Sequence, residues 1–313
     1  MIDALSKATF SALGGSTLLK KVSSRYGMRR PQSFARRFVA GEALEEALAA
    51  VQRLESHGLL TTIDHLGESV TDHATALAAT RCYADIIKAA AAAGVSRNLS
   101  VKLTQVGLDI DRATCVDNLR RVLDAAAEVE GFVRIDMENS AYTDDTLIAF
   151  ESLWNIGYRN MGLVIQSCLR RSPTDVARLN GMGVRLRLVK GAYAEPRETA
   201  FKKKEEVDRA FVALMETLLE QGQYPAIATH DPAMIEATKR HASALKLTRD
   251  AFEFQMLYGI RRDLQRSLST EGYPFRVYVP FGKEWFPYFM RRLGERPANV
   301  GFVLRSLVRE ESQ

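Results

Sequence analysis

The chain has 313 residues, 46% hydrophobic and 26% charged, a length and balance suited to one barrel of about 250 residues with extra elements. The net charge of +5 comes from 43 Lys plus Arg against 38 Asp plus Glu. The signs are interspersed and no basic stripe alternates with aromatics, which excludes nucleic-acid binding and leaves a solvated surface or a weak contact with an anionic membrane. Cys82, Cys115 and Cys168 are odd in number and show no C-x-x-C spacing, so neither a disulfide scaffold nor a thiolate zinc site is indicated.

Residues 1–57 read as helical. Ala43, Leu44, Ala47, Leu48, Val51 and Leu54 recur at three- and four-residue spacing, Gly58 closes the segment, and Pro31 marks an earlier break. Asp3 and the lack of an apolar core with a small-residue cleavage site argue against a secretory signal. No run of about 18 apolar residues occurs to span a membrane.

From residue 59 to the C-terminus, β-rich runs alternate with helical stretches. The eight runs are Leu59–His65, Leu99–Thr104, Phe132–Met137, Gly162–Gln166, Arg185–Val189, Ala226–Thr229, Phe252–Gln255 and Phe275–Val279. Helical periodicity fills the gaps at Asp72–Ala93, Ala113–Glu128, Asp144–Gly157, Glu205–Gln221 and Pro232–Leu245. Eight βα units in this length predict a closed (β/α)8 TIM-type barrel over residues 58–313, with residues 1–57 packed on it. The runs end in polar or reactive residues: Asp64 and His65, Lys102, Asp136 and Glu138, Gln166, Lys190, His230 and Asp231, Gln255, and Tyr278. In a barrel these ends open on one face, where active sites are built.

Three segments suggest chemistry. Tyr288, Arg291, Arg292 and Glu295 fall at i, i+3, i+4 and i+7, on one helical face. Two guanidiniums there form an anion site, with Glu295 holding the pair; the other reading is a solvated face with an i,i+4 ion pair. Lys102 follows Leu99 and Val101 and points into the barrel as a Schiff-base nucleophile or a fixed charge, and Lys190 offers the same choice. Gly191 permits close approach of a ligand, with Arg187 and Lys190 placing positive charge beside it. Asp136 and Glu138, with His65, His230 and Asp231, do not fall at metal-ligand spacing. Neither G-x-S-x-G nor G-x-G-x-x-G occurs after a strand, so neither a hydrolase triad nor a Rossmann crevice is indicated.

These residues resemble the proline dehydrogenase family, in its short monofunctional bacterial branch. The matching segments are Thr62–Glu68, Ser100–Thr104, Arg134–Glu138, Arg185–Tyr193, Ala228–Asp231, Glu253–Gly259, Arg276–Gly282 and the helix from Tyr288 to Arg296. They occur in family order over roughly residues 38–308. The resemblance implies a distorted barrel whose last helix lies over the strand ends, and FAD held without a covalent bond at the open face. It implies FAD contacts from Met137, Gln166, Arg187, Lys190, Gly191, Ala192, Thr229, His230 and Gln255. It implies that Lys102, Arg291 and Arg292 bind the carboxylate of L-proline, that Leu257, Tyr278 and Tyr288 pack on its ring, and that Asp136 is an active-site acid. The activity implied is oxidation of L-proline to Δ1-pyrroline-5-carboxylate by hydride transfer to FAD, which a membrane quinone reoxidises. A separate pyrroline-5-carboxylate dehydrogenase then takes the product, and the enzyme is expected in the cytoplasm, peripheral to the inner membrane. Cys168 stands where the family pattern leads us to expect an aromatic residue, which affects packing beside the cofactor. Two other readings stay open on the residues alone: a Schiff-base lyase using Lys102 or Lys190, and a non-catalytic amino-acid-binding protein using the Arg pair.

Overall fold

A computed structural model describes residue 28 and residues 33–295. Eight parallel strands close into a barrel in sequence order, β1 (Leu60–His65), β2 (Asn98–Val101), β3 (Phe132–Ile135), β4 (Met161–Gln166), β5 (Leu186–Val189), β6 (Ala226–Ala228), β7 (Glu253–Leu257) and β8 (Phe275–Phe281), with β8 pairing back onto β1. The connecting helices are α2 (His73–Ala92), α3 (Arg112–Ala127), α4 (Thr143–Asn155), α5 (Ser172–Gly181), α6 (Lys204–Gln221), α7 (Pro232–Ala244) and α8 (Arg262–Thr270). A first helix, α1 (Leu44–Glu55), precedes the barrel, and α9 (Trp285–Glu295) ends the described chain.

Every predicted strand forms, within a few residues of its expected ends. The second is cut to Asn98–Val101 because the backbone turns into a 3-10 helix over Leu103–Gln105. The seventh runs on to Leu257, which makes Gln255 a mid-strand residue rather than a strand end. Helices α5 and α8 were not among the predicted ones. The first carries Pro173 near its start, and the second is short and strongly polar, so neither shows a long apolar stripe. Side chains at helix starts explain where several helices begin: Asp72, Asp111 and Asp231 each accept a backbone N–H of the first turn, from Thr75, Thr114 and Ala233. Of the predicted N-terminal helical segment, α1 lies in the described part and supplies buried Ala47, Ala50 and Val51 to the main core; residues 1–27 lie outside it.

Three apolar clusters are distinct among the described residues, the smallest being Cys168, Leu169 and Ala200. The largest joins the outer faces of the strands to the helices, with Ile63, Leu99, Val133, Leu163, Leu188, Phe254 and Val277 buried. The second holds α9 in place. Trp285, Phe286, Tyr288, Phe289 and Met290 pack with Phe38, Val39, Leu66 and Ile260, and Leu257 at the end of β7 packs against them. The Trp285 indole N–H donates to Glu42 at 2.8 Å. Gly259, at φ +73°, permits the Arg37 carbonyl to pass where a Cβ would sit, so the segment before α1 can close over this cluster. The apolar face of α9 is thereby used for docking, and Arg291 is left to face the barrel mouth.

Candidate active site

Inward-facing positions on consecutive strands create the site. In parallel register Asp64 pairs with Ser100, Ser100 with Arg134, and Thr62 with Tyr278, so side chains of one parity share the barrel interior. Asp136, just beyond β3, is the hub. Its Oδ1 accepts from Arg187 Nη1 at 2.8 Å and Ser100 Oγ at 3.1 Å, and its Oδ2 accepts from the Tyr278 hydroxyl at 2.8 Å. Arg187 also donates to Ser100 Oγ at 3.0 Å, and its guanidinium lies 5.4 Å from the Tyr278 ring centroid. Burial, reinforced by Asp136, holds the Tyr278 hydroxyl proton well above the ordinary phenol range. Arg187 Nε and Nη2 are buried without a hydrogen-bond partner among the described residues. Such donors are costly to leave unmet and suit an electron-rich ligand.

Lys102 points into the barrel as predicted. Its Nζ is 3.3 Å from Asp64 Oδ1 and 3.8 Å from Asp136 Oδ2. Burial works against its charge, but Asp64 and Asp136 together raise its pKa well above the ordinary lysine value. A Schiff base needs a neutral amine, and the two carboxylates beside Lys102 favour the fixed-charge choice.

The last helix reaches the same mouth. A cavity of about 590 Å³ is lined by Lys102, Glu68, Tyr288 and Arg291, together with residues of α2 and the loop after β1. Arg291 Nη1 pairs with Glu68 at 2.7 Å. Burial opposes each charge, and the pairing wins: the Arg291 pKa is raised and the Glu68 pKa lowered. Arg292 is buried, with its guanidinium 5.1 Å from the Tyr288 ring centroid. The expected partner of the Arg pair, Glu295, has a side chain outside the described residues; the carboxylate found on Arg291 is Glu68.

The expected cofactor residues gather on the β4–β7 side. Gln166 at the end of β4 donates its amide N–H to the Glu138 carbonyl at 2.9 Å. Gly191 follows β5 at φ +106°, where an added Cβ would strike Cys168 Sγ and lie 3.2 Å from Gln166 Oε1. Only glycine fits there, and the small Cys168 occupies the space beneath it. Ala192 follows it, exposed, and Met137 is buried next to Asp136. The Thr229 N–H donates to the Gln255 carbonyl at 3.1 Å, and the Leu257 N–H donates to His230 Nε2 at 3.0 Å, which binds the ends of β6 and β7 together. Gln255 donates its amide N–H to Glu253. Lys190, offered by the sequence as a Schiff-base nucleophile or a fixed charge, pairs with Asp208 at 2.5 Å and Asp231 at 2.7 Å. It is an anchored cation, held by Asp208 on α6 and by Asp231, the residue that caps the start of α7.

The sequence reading did not assign roles to Glu68, Asp64, Ser100, Glu138 or Tyr193. Glu138 leaves the mouth and caps the loop after β2, accepting from the Thr104 N–H at 3.1 Å and its hydroxyl at 2.7 Å. Tyr193 sits near Lys102 and Arg291, and burial pushes its hydroxyl up to about 12. Asp64 and Ser100 share strand parity with the predicted Lys102 and could have been found from it; Glu68 and Tyr193 lie in loops with no period to read. Among the described residues no group of three or more His, Cys, Asp or Glu is placed to hold a metal ion.

Residues 47–305 match the family model described as proline dehydrogenase. The chain belongs to the proline dehydrogenase family. It is 42% identical over 281 residues to the proline dehydrogenase of Deinococcus radiodurans, covering 88% of this chain and 91% of that one. It is 40% identical over 301 residues to proline dehydrogenase 1 of Bacillus subtilis strain 168, covering 96% of this chain and 98% of the relative. Among solved structures, proline utilization A from Bdellovibrio bacteriovorus, inactivated by N-propargylglycine, matches with a TM-score of 0.79 and 28% identity over 83% of this chain. The chain spans about a third of that longer protein, 32%. Oxidation of proline, the first step of its catabolism, is the reaction of this family and the one its site must perform.

Proposed function

We propose that this proline dehydrogenase binds FAD on the β4–β7 side of the barrel mouth and oxidises L-proline to Δ1-pyrroline-5-carboxylate on the side facing Lys102 and α9. One observation carries the reading. Lys102 and Arg291 line one cavity at the mouth, and Lys102 lies 3.8 Å from Asp136 of the Asp136–Arg187–Tyr278 cluster. The residues fit a flavin. Gly191 presents a part-exposed backbone without a side chain after β5, and Arg187 Nε and Nη2 are buried donors without a partner among the described residues. Met137, Gln166, Arg187, Lys190, Gly191, Ala192, Thr229, His230 and Gln255 would hold it. Bound there, FAD supplies the hydride acceptor for the substrate carbon.

The chain's own residues supply the rest. Lys102, Arg291 and Arg292 grip the proline carboxylate. Arginine suits this because its planar fork donates two parallel hydrogen bonds. Glu68 holds Arg291 at 2.7 Å until substrate arrives. Leu257, Tyr278 and Tyr288 bound the pyrrolidine ring. Asp136 orients Arg187 and Tyr278 and neutralises part of the positive charge. Fixing the carboxylate at one end and the ring at the other places the carbon beside nitrogen against its acceptor, and orientation of this kind lowers a barrier by several kcal/mol. The substrate's ammonium must lose a proton first, since its nitrogen lone pair drives hydride departure.

The electron acceptor we propose is a membrane quinone, met by transient peripheral contact from the cytoplasm; no helix among the described residues is long and apolar enough to cross a membrane. A separate pyrroline-5-carboxylate dehydrogenase would take the product onward. The test is direct. Purified protein is expected to be yellow and to reduce a dye acceptor with proline. Arg291→Met and Arg292→Met are each expected to raise KM for proline at least about tenfold, one charge-assisted hydrogen bond being worth ~1.5–3 kcal/mol, while the flavin stays bound. Unchanged KM in both variants would overturn the clamp. A colourless protein that binds proline without turnover would favour the amino-acid-binding reading.

A further inference from the structure

A second layer of charge lies beneath the site. Arg134, Arg185, Glu253 and Arg276 each stand two residues before a side chain of the site, Asp136, Arg187, Gln255 and Tyr278, along or directly flanking β3, β5, β7 and β8. Two residues of strand rise about 7 Å, so this is the next layer down the barrel. Barrel interiors are ordinarily filled by Val, Ile and Leu. Here Glu253 is 2% exposed and Arg134 3%. Glu253 accepts from Arg276 Nε at 2.8 Å, Arg276 Nη2 at 3.0 Å, the Tyr224 hydroxyl at 3.3 Å and the Gln255 amide. Arg276 also donates to the Thr61 carbonyl at 2.7 Å. Arg134 donates to the Leu163 carbonyl at 3.1 Å and to the Arg185 carbonyl, and Arg185 stacks at 4.7 Å on both Phe132 and Tyr224. Gly162 on β4 makes the space: a Cβ there would come within 2.7 Å of Arg134 Nη1.

Three guanidiniums therefore share this layer with one carboxylate, Arg276 bonded to it, Arg134 buried beside it and Arg185 part-buried. Carbonyl oxygens and ring faces meet part of the excess, and a net positive charge remains. Burying ions contributes little to stability, since well-packed apolar groups of the same volume do as well or better. The layer's consequence is its field, which acts upward through a medium that screens weakly.

We propose that the Arg134–Arg185–Glu253–Arg276 layer is an electrostatic base that sets the reduction potential of the flavin above it, with Glu253 as the counter-charge that limits the effect. The inference rests on the flavin reading given above. Hydride uptake from the substrate carbon brings two electrons and one proton to a neutral ring, which gains one negative charge; the substrate loses the same hydride and leaves as an iminium cation. Positive charge below the ring favours that uptake.

The test is the midpoint potential of the purified flavin-loaded protein by spectroelectrochemical titration. Glu253→Gln keeps the shape and removes one negative charge. It is expected to raise the reduction equilibrium constant about tenfold, the size Coulomb's law gives for one charge at roughly 10 Å and an effective dielectric constant of about 20. That corresponds to about 30 mV for a two-electron couple. Arg134→Gln is expected to lower the constant by a similar factor. Glu253→Gln combined with Arg276→Gln removes a charge of each sign and is expected to return close to the wild-type potential. Should Glu253→Gln not fold, Arg134→Gln and the double variant decide the matter. A purely structural layer would change the melting temperature and leave the reduction equilibrium constant within about twofold of wild type, about 10 mV, in all variants, which overturns the proposal. Shifts of the same sign in Glu253→Gln and Arg134→Gln overturn it as well. A protein purified without flavin would fail the flavin reading itself; a loaded protein whose potential ignores these charges fails this inference alone.

Discussion

Replacing Lys102 separates the ion pair seen at its ammonium from the carboxylate-binding role we propose for it. Lys102 is 6% exposed and Asp64 0%, with Nζ 3.3 Å from Asp64 Oδ1, and Asp64 Oδ2 has no hydrogen-bond partner among the described residues. Lys102→Met leaves the Asp64 charge buried and uncompensated. Breaking a buried pair from one side costs roughly 3–5 kcal/mol, a large part of a typical total of about 5–15 kcal/mol. The expected drop in Tm is of order 10 °C. The sign with pH follows. In this variant Asp64 relieves its charge by taking a proton, so the folded state binds more protons than the unfolded one, and the penalty grows as pH rises from about 4 towards neutrality. Adding Asp64→Asn removes the second charge, and the double variant is expected to recover most of the lost Tm. Affinity will not recover. Loss of one charge-assisted bond to the substrate carboxylate, about 1.5–3 kcal/mol, raises KM for proline roughly 10- to 150-fold. Differential scanning fluorimetry and steady-state kinetics with a dye acceptor measure the two effects. A double variant with the wild-type KM would remove Lys102 from the clamp. One as unstable as Lys102→Met would refute the assignment of the penalty to Asp64.

Gly191→Ala is expected to weaken flavin binding, because φ +106° strains any side chain and the new methyl strikes Cys168 Sγ. Adding Cys168→Ala removes only the clash and should restore only part of the binding; the flavin-to-protein absorbance ratio reports both, and full occupancy in Gly191→Ala would count against the cradle. Tyr278→Phe deletes the 2.8 Å bond to Asp136, at a cost of about 1.5–3 kcal/mol; an unchanged midpoint in urea denaturation would show that the bond contributes nothing. The stability difference between wild type and Glu68→Gln should depend on pH. The Glu68 pKa is lowered by Arg291 despite burial, so the wild-type advantage is fully present above the ordinary carboxylate value of about 4.3 and disappears as pH falls through the lower folded value. An advantage that persisted in acid would mean the Arg291 pairing is not its source.

Much of this was legible in the chain because strands and helices announce themselves locally. The eight runs and their spacing follow from alternating composition, and their polar ends from inspection of each run. Strand parity placed Lys102 inside the barrel before any pairing was known. The short polar helix α8 and Pro-initiated α5 escaped because helical periodicity needs a longer apolar stripe than either carries. The ends of β2 and β7 slipped because a 3-10 turn and a strand extension look alike in composition.

Which charges meet was decided elsewhere. Closure of β8 onto β1 puts Tyr278 beside Thr62 and lets its hydroxyl reach Asp136, 142 positions away in sequence. Docking of Trp285 and Phe289 against Phe38 and Leu66 fixes where α9 lies, and so gives Arg291 to Glu68, 223 positions away. Lys190 gains Asp208 and Asp231 by the same kind of convergence. Composition and spacing determine the elements because those are set by neighbours along the chain. The partners of a buried charge are set by register and packing, and only the closed barrel brings them within hydrogen-bonding distance.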